Sequence, residues 1–220
     1  MLKQISFNYE NQFIKNSSDI VIGIDEAGRG CLAGSVVAAC VWINQSKFPK
    51  QLLEQINDSK KLSESKRLFI FNELINLPTD TFIYTYHDID AEIIDKINIL
   101  QATFKAMSEA YRKITKLLIT SPVKVLIDGN QKPKDIPNSF NIIKGDSLSY
   151  SIATASIIAK VQKDKLLNEI GNLYPQYAFN KNKGYGTKSH LSLLQKYGVS
   201  PVHRKSYKPI KNILNHFLES

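Results

Sequence analysis

The chain reads as a mixed α/β domain. Three observations carry that expectation. Short apolar runs rich in β-branched residues alternate with segments of helical period. The first two such runs follow each other across a glycine-rich turn, so an early hairpin precedes later crossovers. Apolar residues make up 43% of 220 residues, enough to bury a core in one domain.

The elements follow in order. Ile20–Asp25 (IVIGID) is an apolar run suited to a buried strand. Gly28, Gly30 and Gly34 punctuate a turn, and Ser35–Ile43 (SVVAACVWI) forms a second strand. Ser63–Asn76 carries apolar residues at helical spacing, with Ser63 as N-cap. Thr81–His87 (TFIYTYH) alternates as a strand does. Asp90–Leu118 is a long helical stretch broken near Asn98. Val123–Asp128 (VKVLID) is an apolar strand ended by Gly129-Asn130, and Asn141–Lys144 is a brief one. Asp146 opens a helix running to about Ile170. Two short helices follow, around Leu191–Tyr197 and Ile210–Leu218. The division expected is a main domain over 1–170 and a helical C-terminal appendage over 171–220 packed on it as one structural unit.

Composition excludes several classes. Cys31 and Cys40 are too few for a disulfide scaffold or a cysteine zinc site. No run of 18 or more apolar residues marks a membrane span, and Met1–Asp19 lacks the apolar centre of a signal peptide. A cytoplasmic monomer with no membrane association is expected. No GxSxG, P-loop or HExxH pattern is present. The formal charge is +9, unevenly placed: residues 1–110 hold 11 basic and 14 acidic side chains, a net of −3, and residues 111–220 hold 18 and 6, a net of +12. A basic half of this kind suits a polyanion such as nucleic acid. Only four basic residues are arginine, Arg29, Arg67, Arg112 and Arg204, which singles out positions where a planar fork is useful.

Against this background the acids stand out. Asp25-Glu26 ends the first strand, Asp128 ends VKVLID, and Asp146 follows NIIKG. A carboxylate at the end of an apolar strand is costly to desolvate unless something compensates. Brought to one rim, such groups repel and raise each other's pKa, a problem that Mg²⁺ or Mn²⁺ relieves through hard oxygen ligation. Taken singly, Asp146 reads first as a helix cap and Asp128-Gly129 equally as a turn dipeptide. Two metals about 4 Å apart would serve in-line displacement at phosphorus.

The run GIDEAGRGCLAGSVVAA (23–39) resembles the N-terminal signature of the ribonuclease HII family. The likeness continues through DSKKL (58–62), VLIDGN (125–130), KGD (144–146) with SIATASIIAKVQKD (151–164), KGYGTKSH (183–190) and HRKSY (203–207). These six ordered blocks cover about residues 20–210. Tyr207 departs from the phenylalanine usual there, keeping the ring and adding a hydroxyl. The resemblance implies a ribonuclease H-like mixed sheet flanked by helices, with a C-terminal helical appendage. It implies metal-dependent cleavage of the RNA strand in RNA·DNA hybrids, and incision on the 5′ side of a single ribonucleotide in duplex DNA, leaving 3′-hydroxyl and 5′-phosphate ends. Carried over, Asp25, Glu26, Asp128 and Asp146 would be the catalytic carboxylates holding two Mg²⁺ or Mn²⁺ ions, one activating water and one stabilising the leaving oxygen. Gly28-Arg29-Gly30 would sense the 2′-hydroxyl at an RNA–DNA junction, and Tyr185 would stack on the deoxyribose beyond it.

These roles suit the residue types. Glycines beside Arg29 admit close backbone approach, and Arg29 offers a fork to phosphate. A tyrosine between glycines suits sugar stacking better than core packing. Lys60, Lys61, Lys183 and Lys188 are candidates for phosphate contacts. Asp164 lies four residues after Lys160, which predicts an intrahelical ion pair. His190 and His203 read as structural hydrogen-bonders. The tail, Asn212–Ser220, has the spacing of a docked helix and no clear clamp-binding motif. The nearest alternative is ribonuclease HIII, which typically carries Lys between the glycines and an extra N-terminal domain; here Arg29 stands there and about 19 residues precede the first strand. A non-catalytic hybrid-binding protein and a nonspecific RNA binder are further alternatives, disfavoured by the four acids.

Overall fold

The computed structural model describes residues 5–16, 18–118 and 123–219, with side chains to 215. Among the described residues five strands form one sheet: β1 (Ile20–Ala27), β2 (Val36–Ile43), β3 (Phe82–Ile89), β4 (Val123–Asp128) and β5 (Ser139–Ile142). Their spatial order is β3-β2-β1-β4-β5. The predicted hairpin is present, with β1 and β2 antiparallel, while β4 adds to β1 in parallel. Nine helices are described: α1 (Asn8–Asn11), α2 (Lys50–Leu53), α3 (Glu64–Ile75), α4 (Ala91–Ile97), α5 (Ile99–Leu117), α6 (Tyr150–Leu173), α7 (Phe179–Asn182), α8 (Lys188–Tyr197) and α9 (Lys208–Glu219).

Strand alternation builds two cores. Ile20, Ile22 and Ile24 of β1 face one side and pack with Ala102, Ala106 and Ala110 of α5. On the other side Ala39 and Val41 of β2 pack with Ala153, Ile157 and Val161 of α6 and with Phe71 of α3. Helix α6 lies very close to β1. A Cβ on Gly23 would sit 2.3 Å from the backbone carbon of Ser151, so only glycine allows this crossing. A third cluster joins Leu32, Leu167, Tyr177, Phe179, Leu194 and Ile210. It draws on both sides of residue 170, and α6 itself runs through that position to Leu173.

Local capping sets the helix starts. The Ser63 hydroxyl accepts from the Lys66 N–H and starts α3 as expected. Asp90 caps α4, and Asn98, at φ +65°, breaks the helical run and caps α5. Asp146 does not open α6. It lies in a single 3₁₀ turn, Gly145–Ser147, and Ser149 caps α6 instead, accepting from the Ile152 N–H. β1 also runs further than the apolar run suggests, because Asp25 and Glu26 keep antiparallel partners, Ala39 and Ala38, on β2. The last short strand lies earlier, at 139–142, since its pairing is with 125–128 of β4. Among the described residues no helix is long and apolar enough to cross a membrane. Ser220, at the end of the tail, and Met1–Gln4, within the N-terminal segment, lie outside the described residues.

Candidate active site

Parallel pairing of β1 with β4 ends at Ile24 opposite Ile127. The next residue on each strand, Asp25 and Asp128, therefore falls at the same rim. Both point to the α6 face, because Ile24 and Ile127 point to the α5 face. The 3₁₀ turn brings Asp146 to them. Its lead residue Gly145 donates its N–H to Asp128 Oδ1 at 2.6 Å, which fixes the turn against β4. Carboxylate oxygens of Asp25, Asp128 and Asp146 all lie within 4.8 Å of one another.

Glu26 is not among these closest oxygens, although its charge reaches Asp25 and it feels that of Asp128. Strand alternation turns it to the opposite face, where its carboxylate pairs with Arg29 Nη1 at 3.3 Å. Adjacency in sequence thus gives two acids on one rim but not one three-sided cluster with both.

The electrostatics are those of a site lacking counter-charge. Burial pushes the Asp25 carboxyl well above the ordinary range, and Glu26 and Asp128 push it further. Burial also raises Asp128, with Asp146 adding to it. Glu26 is raised by burial, with Arg29 opposing. Lys60 Nζ reaches Asp146 Oδ2 at 3.4 Å from a side chain 79% exposed. Although burial works the other way, Asp146 and Asp25 hold the Lys60 ammonium above its usual pKa. One flexible cation does not balance three acids. The donor set is all oxygen, half to fully buried and mutually repelling, and it fits a hard divalent cation.

The glycine loop continues directly from β1. Gly28 has φ +95° and a Cβ there would meet the Ser35 carbonyl at 2.9 Å, so its turn demands glycine. Gly30 has neither a positive φ nor any atom within 4 Å of a built Cβ. Arg29 between them is half exposed. Cys31 then forms an antiparallel bridge with Tyr185, so the loop and the tyrosine are neighbours. Tyr185 is 41% exposed although it is aromatic. Burial first, and Cys31 second, push its phenol up to about 12, so the ring is neutral at physiological pH.

The lysines divide. Lys61 is exposed and 3.9 Å from Asp58. Lys188 is exposed at the start of α8. Lys183 is largely covered, its ammonium held by Glu64 and Asn168. The expected Lys160–Asp164 pair is present at 3.0 Å. Lys163 went unnoticed in the sequence. It is 1% exposed, bonds Asp164 and the Lys183 carbonyl, and sits 4.8 Å from the centre of the Tyr185 ring, with Lys160 at 5.6 Å. The available signal was the i, i+3 spacing of Lys160 and Lys163 beside an acid on one helix face. Ser59 and Ser156, whose hydroxyls meet at 2.8 Å, were also missed; Ser156 works against the rise of the Asp25 carboxyl.

The model of the family described as Ribonuclease HII matches residues 22–210. The Ribonuclease HII of Francisella tularensis subsp. mediasiatica (strain FSC147) is 47% identical over 196 residues, covering 89% of this chain and 99% of that one. The chain belongs to the ribonuclease HII family. As a ribonuclease HII it is a hydrolytic endoribonuclease that acts on the RNA strand of RNA·DNA hybrids and uses divalent metal. Solved structures share its fold. The ribonuclease H2 from Pyrococcus horikoshii OT3 superposes with a TM-score of 0.71 at 23% identity, over 91% of this chain and 100% of that one. Bst-RNase HIII in complex with Mn²⁺ gives 0.66 at 15% identity, over 94% and 72%. The HIII likeness is one of fold, whereas the family match and the 47% identity are to ribonuclease HII.

Proposed function

We propose that Asp25, Glu26, Asp128 and Asp146 are the catalytic carboxylates of this ribonuclease HII, that they hold two Mg²⁺ or Mn²⁺ ions, and that the enzyme incises duplex DNA 5′ to a single embedded ribonucleotide. The observation that carries this is the meeting of three acids from β1, β4 and the turn before α6 within 4.8 Å, beside a glycine loop and an exposed tyrosine. When bound, the divalent ions supply activation of the attacking water and charge neutralisation at the leaving 3′-oxygen. The chain's own groups do the rest. Asp25 and Asp128 are fixed by adjacent strands and Asp146 by the Gly145–Asp128 bond, so the ligands are preorganised. Arg29 neutralises Glu26 in the free enzyme and offers its remaining donors to phosphate.

Gly28-Arg29-Gly30 reads the 2′-hydroxyl and Tyr185 stacks on the sugar beyond the junction. The open space over Gly30 supports this, since none of the described residues comes within 4 Å of a Cβ built there. Lys60, Lys61 and Lys188 contact the phosphate backbone, as does Lys183 once released from Glu64; Lys160 and Lys163 lie beneath Tyr185 and add positive potential. We take the protein to act as a cytoplasmic monomer, with residues 1–170 as the catalytic domain and 171–220 as an appendage that carries Tyr185. The test is cleavage of a duplex carrying one ribonucleotide, scanned over Mg²⁺ and Mn²⁺. A single cut 5′ to the ribonucleotide, lost in Asp25→Asn, is expected. Binding without cleavage under every metal would refute the reading.

A further inference from the structure

Two buried networks in the C-terminal segment end on the backbone of the two substrate-reading elements. The first is a pair of fully buried histidines. His190 Nδ1 lies 2.8 Å from the Tyr185 carbonyl, which can only accept, so that nitrogen carries the proton. The Ser200 N–H donates to His203 Nδ1 at 3.1 Å, so that nitrogen is bare. The two Nε2 atoms are 3.1 Å apart. In the neutral rings only one arrangement remains: His203 Nε2–H donates to His190 Nε2. Every member has one role, and the relay runs from Ser200 to the Tyr185 carbonyl. Desolvation lowers both imidazoles, His203 to about 4, consistent with neutral rings.

The second network starts one residue later. Arg204 is 0% exposed. Its Nε donates to the Gly34 carbonyl at 3.0 Å, and its Nη1 to the Arg29 carbonyl and the Tyr207 hydroxyl, both at 2.9 Å. The Tyr207 hydroxyl donates to the same Arg29 carbonyl at 2.5 Å. A buried guanidinium spent on backbone carbonyls is costly and is retained where it fixes a particular loop conformation. The departure from phenylalanine at 207 thus supplies a second anchor on Arg29.

We propose that His203–Tyr207 is a bracket that sets the position of Tyr185 relative to Arg29, and that His190, His203, Arg204 and Tyr207 are positioning residues for recognition of the RNA–DNA junction. This rests on the reading of Arg29 and Tyr185 as substrate contacts given above. This five-residue segment holds the Arg29 carbonyl directly, through Arg204 and Tyr207, and the Tyr185 carbonyl through His203 and its partner His190, so one connected network rather than two independent loops sets the spacing between the sensing loop and the stacking ring.

The test compares kcat/KM for a duplex with one ribonucleotide to that for a uniform RNA·DNA hybrid. Their ratio is taken within one preparation and does not depend on the fraction folded. Tyr207→Phe, which removes only a hydroxyl, is expected to lower the ratio about fivefold, the size of one hydrogen bond. His203→Leu is expected to lower it about tenfold, while His203→Gln, whose amide keeps a donor near Nε2, stays within about twofold of wild type. Tyr185→Ala and Arg29→Ala serve as references. If neither reference lowers the ratio, the substrate-contact reading fails and the bracket with it. If both lower it but Tyr207→Phe and His203→Leu match wild type, the bracket alone is refuted. Equal losses in His203→Leu and His203→Gln would also refute it, since packing rather than the directed bond would then be responsible.

Discussion

Acid should loosen this protein through His203. The imidazole is fully buried, packed against the rings of Tyr177 and Phe179 and bonded to His190, and its Nδ1 must stay bare to accept from the Ser200 N–H. Its pKa falls from 6.5 to about 4 because burial disfavours the cation and His190 opposes a second charge. In the unfolded chain the ring titrates normally. Below the unfolded value the unfolded state binds the extra proton and the native state does not, so stability present above 6.5 is lost as pH falls towards 4. The full difference is about 3 kcal/mol at 1.36 kcal/mol per unit, and about 2 kcal/mol of it is lost by about pH 5. The raised carboxylates act in the opposite sense, so wild type alone does not isolate the histidine. Denaturant unfolding of wild type and His203→Gln at neutral pH and at about pH 5 does, because the glutamine cannot titrate. The gap between the two proteins should change by about 2 kcal/mol in favour of the variant on acidification. Parallel loss in both would sink the reasoning, for it would mean that this ring is not held neutral.

Other changes separate fold from chemistry. Asp25→Asn should abolish cleavage yet raise the stability of the metal-free protein by about 1–2 kcal/mol at neutral pH, because it removes a buried charge from a repelling cluster; a lower Tm without metal would contradict this. Gly30→Ala should leave Tm within about 2 °C, since nothing lies within 4 Å of the new methyl, while cleavage at a single ribonucleotide falls at least about tenfold; retained cleavage would show that the space is not used by substrate. Gly23→Ala should cost about 3 kcal/mol or more, because backbone of α6 stands 2.3 Å from the new atom and cannot rotate away as a side chain would; a near-native midpoint in urea would show the crossing to be softer than it looks.

Much of the frame was legible because it is local. Apolar runs marked β1, β2 and β4, and Ser63, Asp90 and Asn98 signalled helix starts through side-chain oxygens that reach their own N–H groups. The misread positions are those where a neighbour decides. Asp25 and Glu26 look like the end of a strand, but β2 continues to pair with them. Asp146 looks like a cap until Gly145 is seen bonded to Asp128, seventeen residues earlier, which leaves capping to Ser149.

The residues that carry the chemistry were nameable from their types and order alone: acids after apolar strands, glycines around an arginine, a tyrosine between glycines. Their grouping was not. Alternation turns Glu26 from Asp25, while parallel pairing of β1 with β4, a hundred residues apart, puts Asp128 beside Asp25. The burial of Lys163 beneath Tyr185, and the bracket that ties Tyr185 and Arg29 to His203–Tyr207, belong wholly to the tertiary structure. Periodicity and capping are energies of neighbouring residues, so the sequence displays them. Which buried donor meets which distant carbonyl depends on how every layer packs, and only the folded chain settles that.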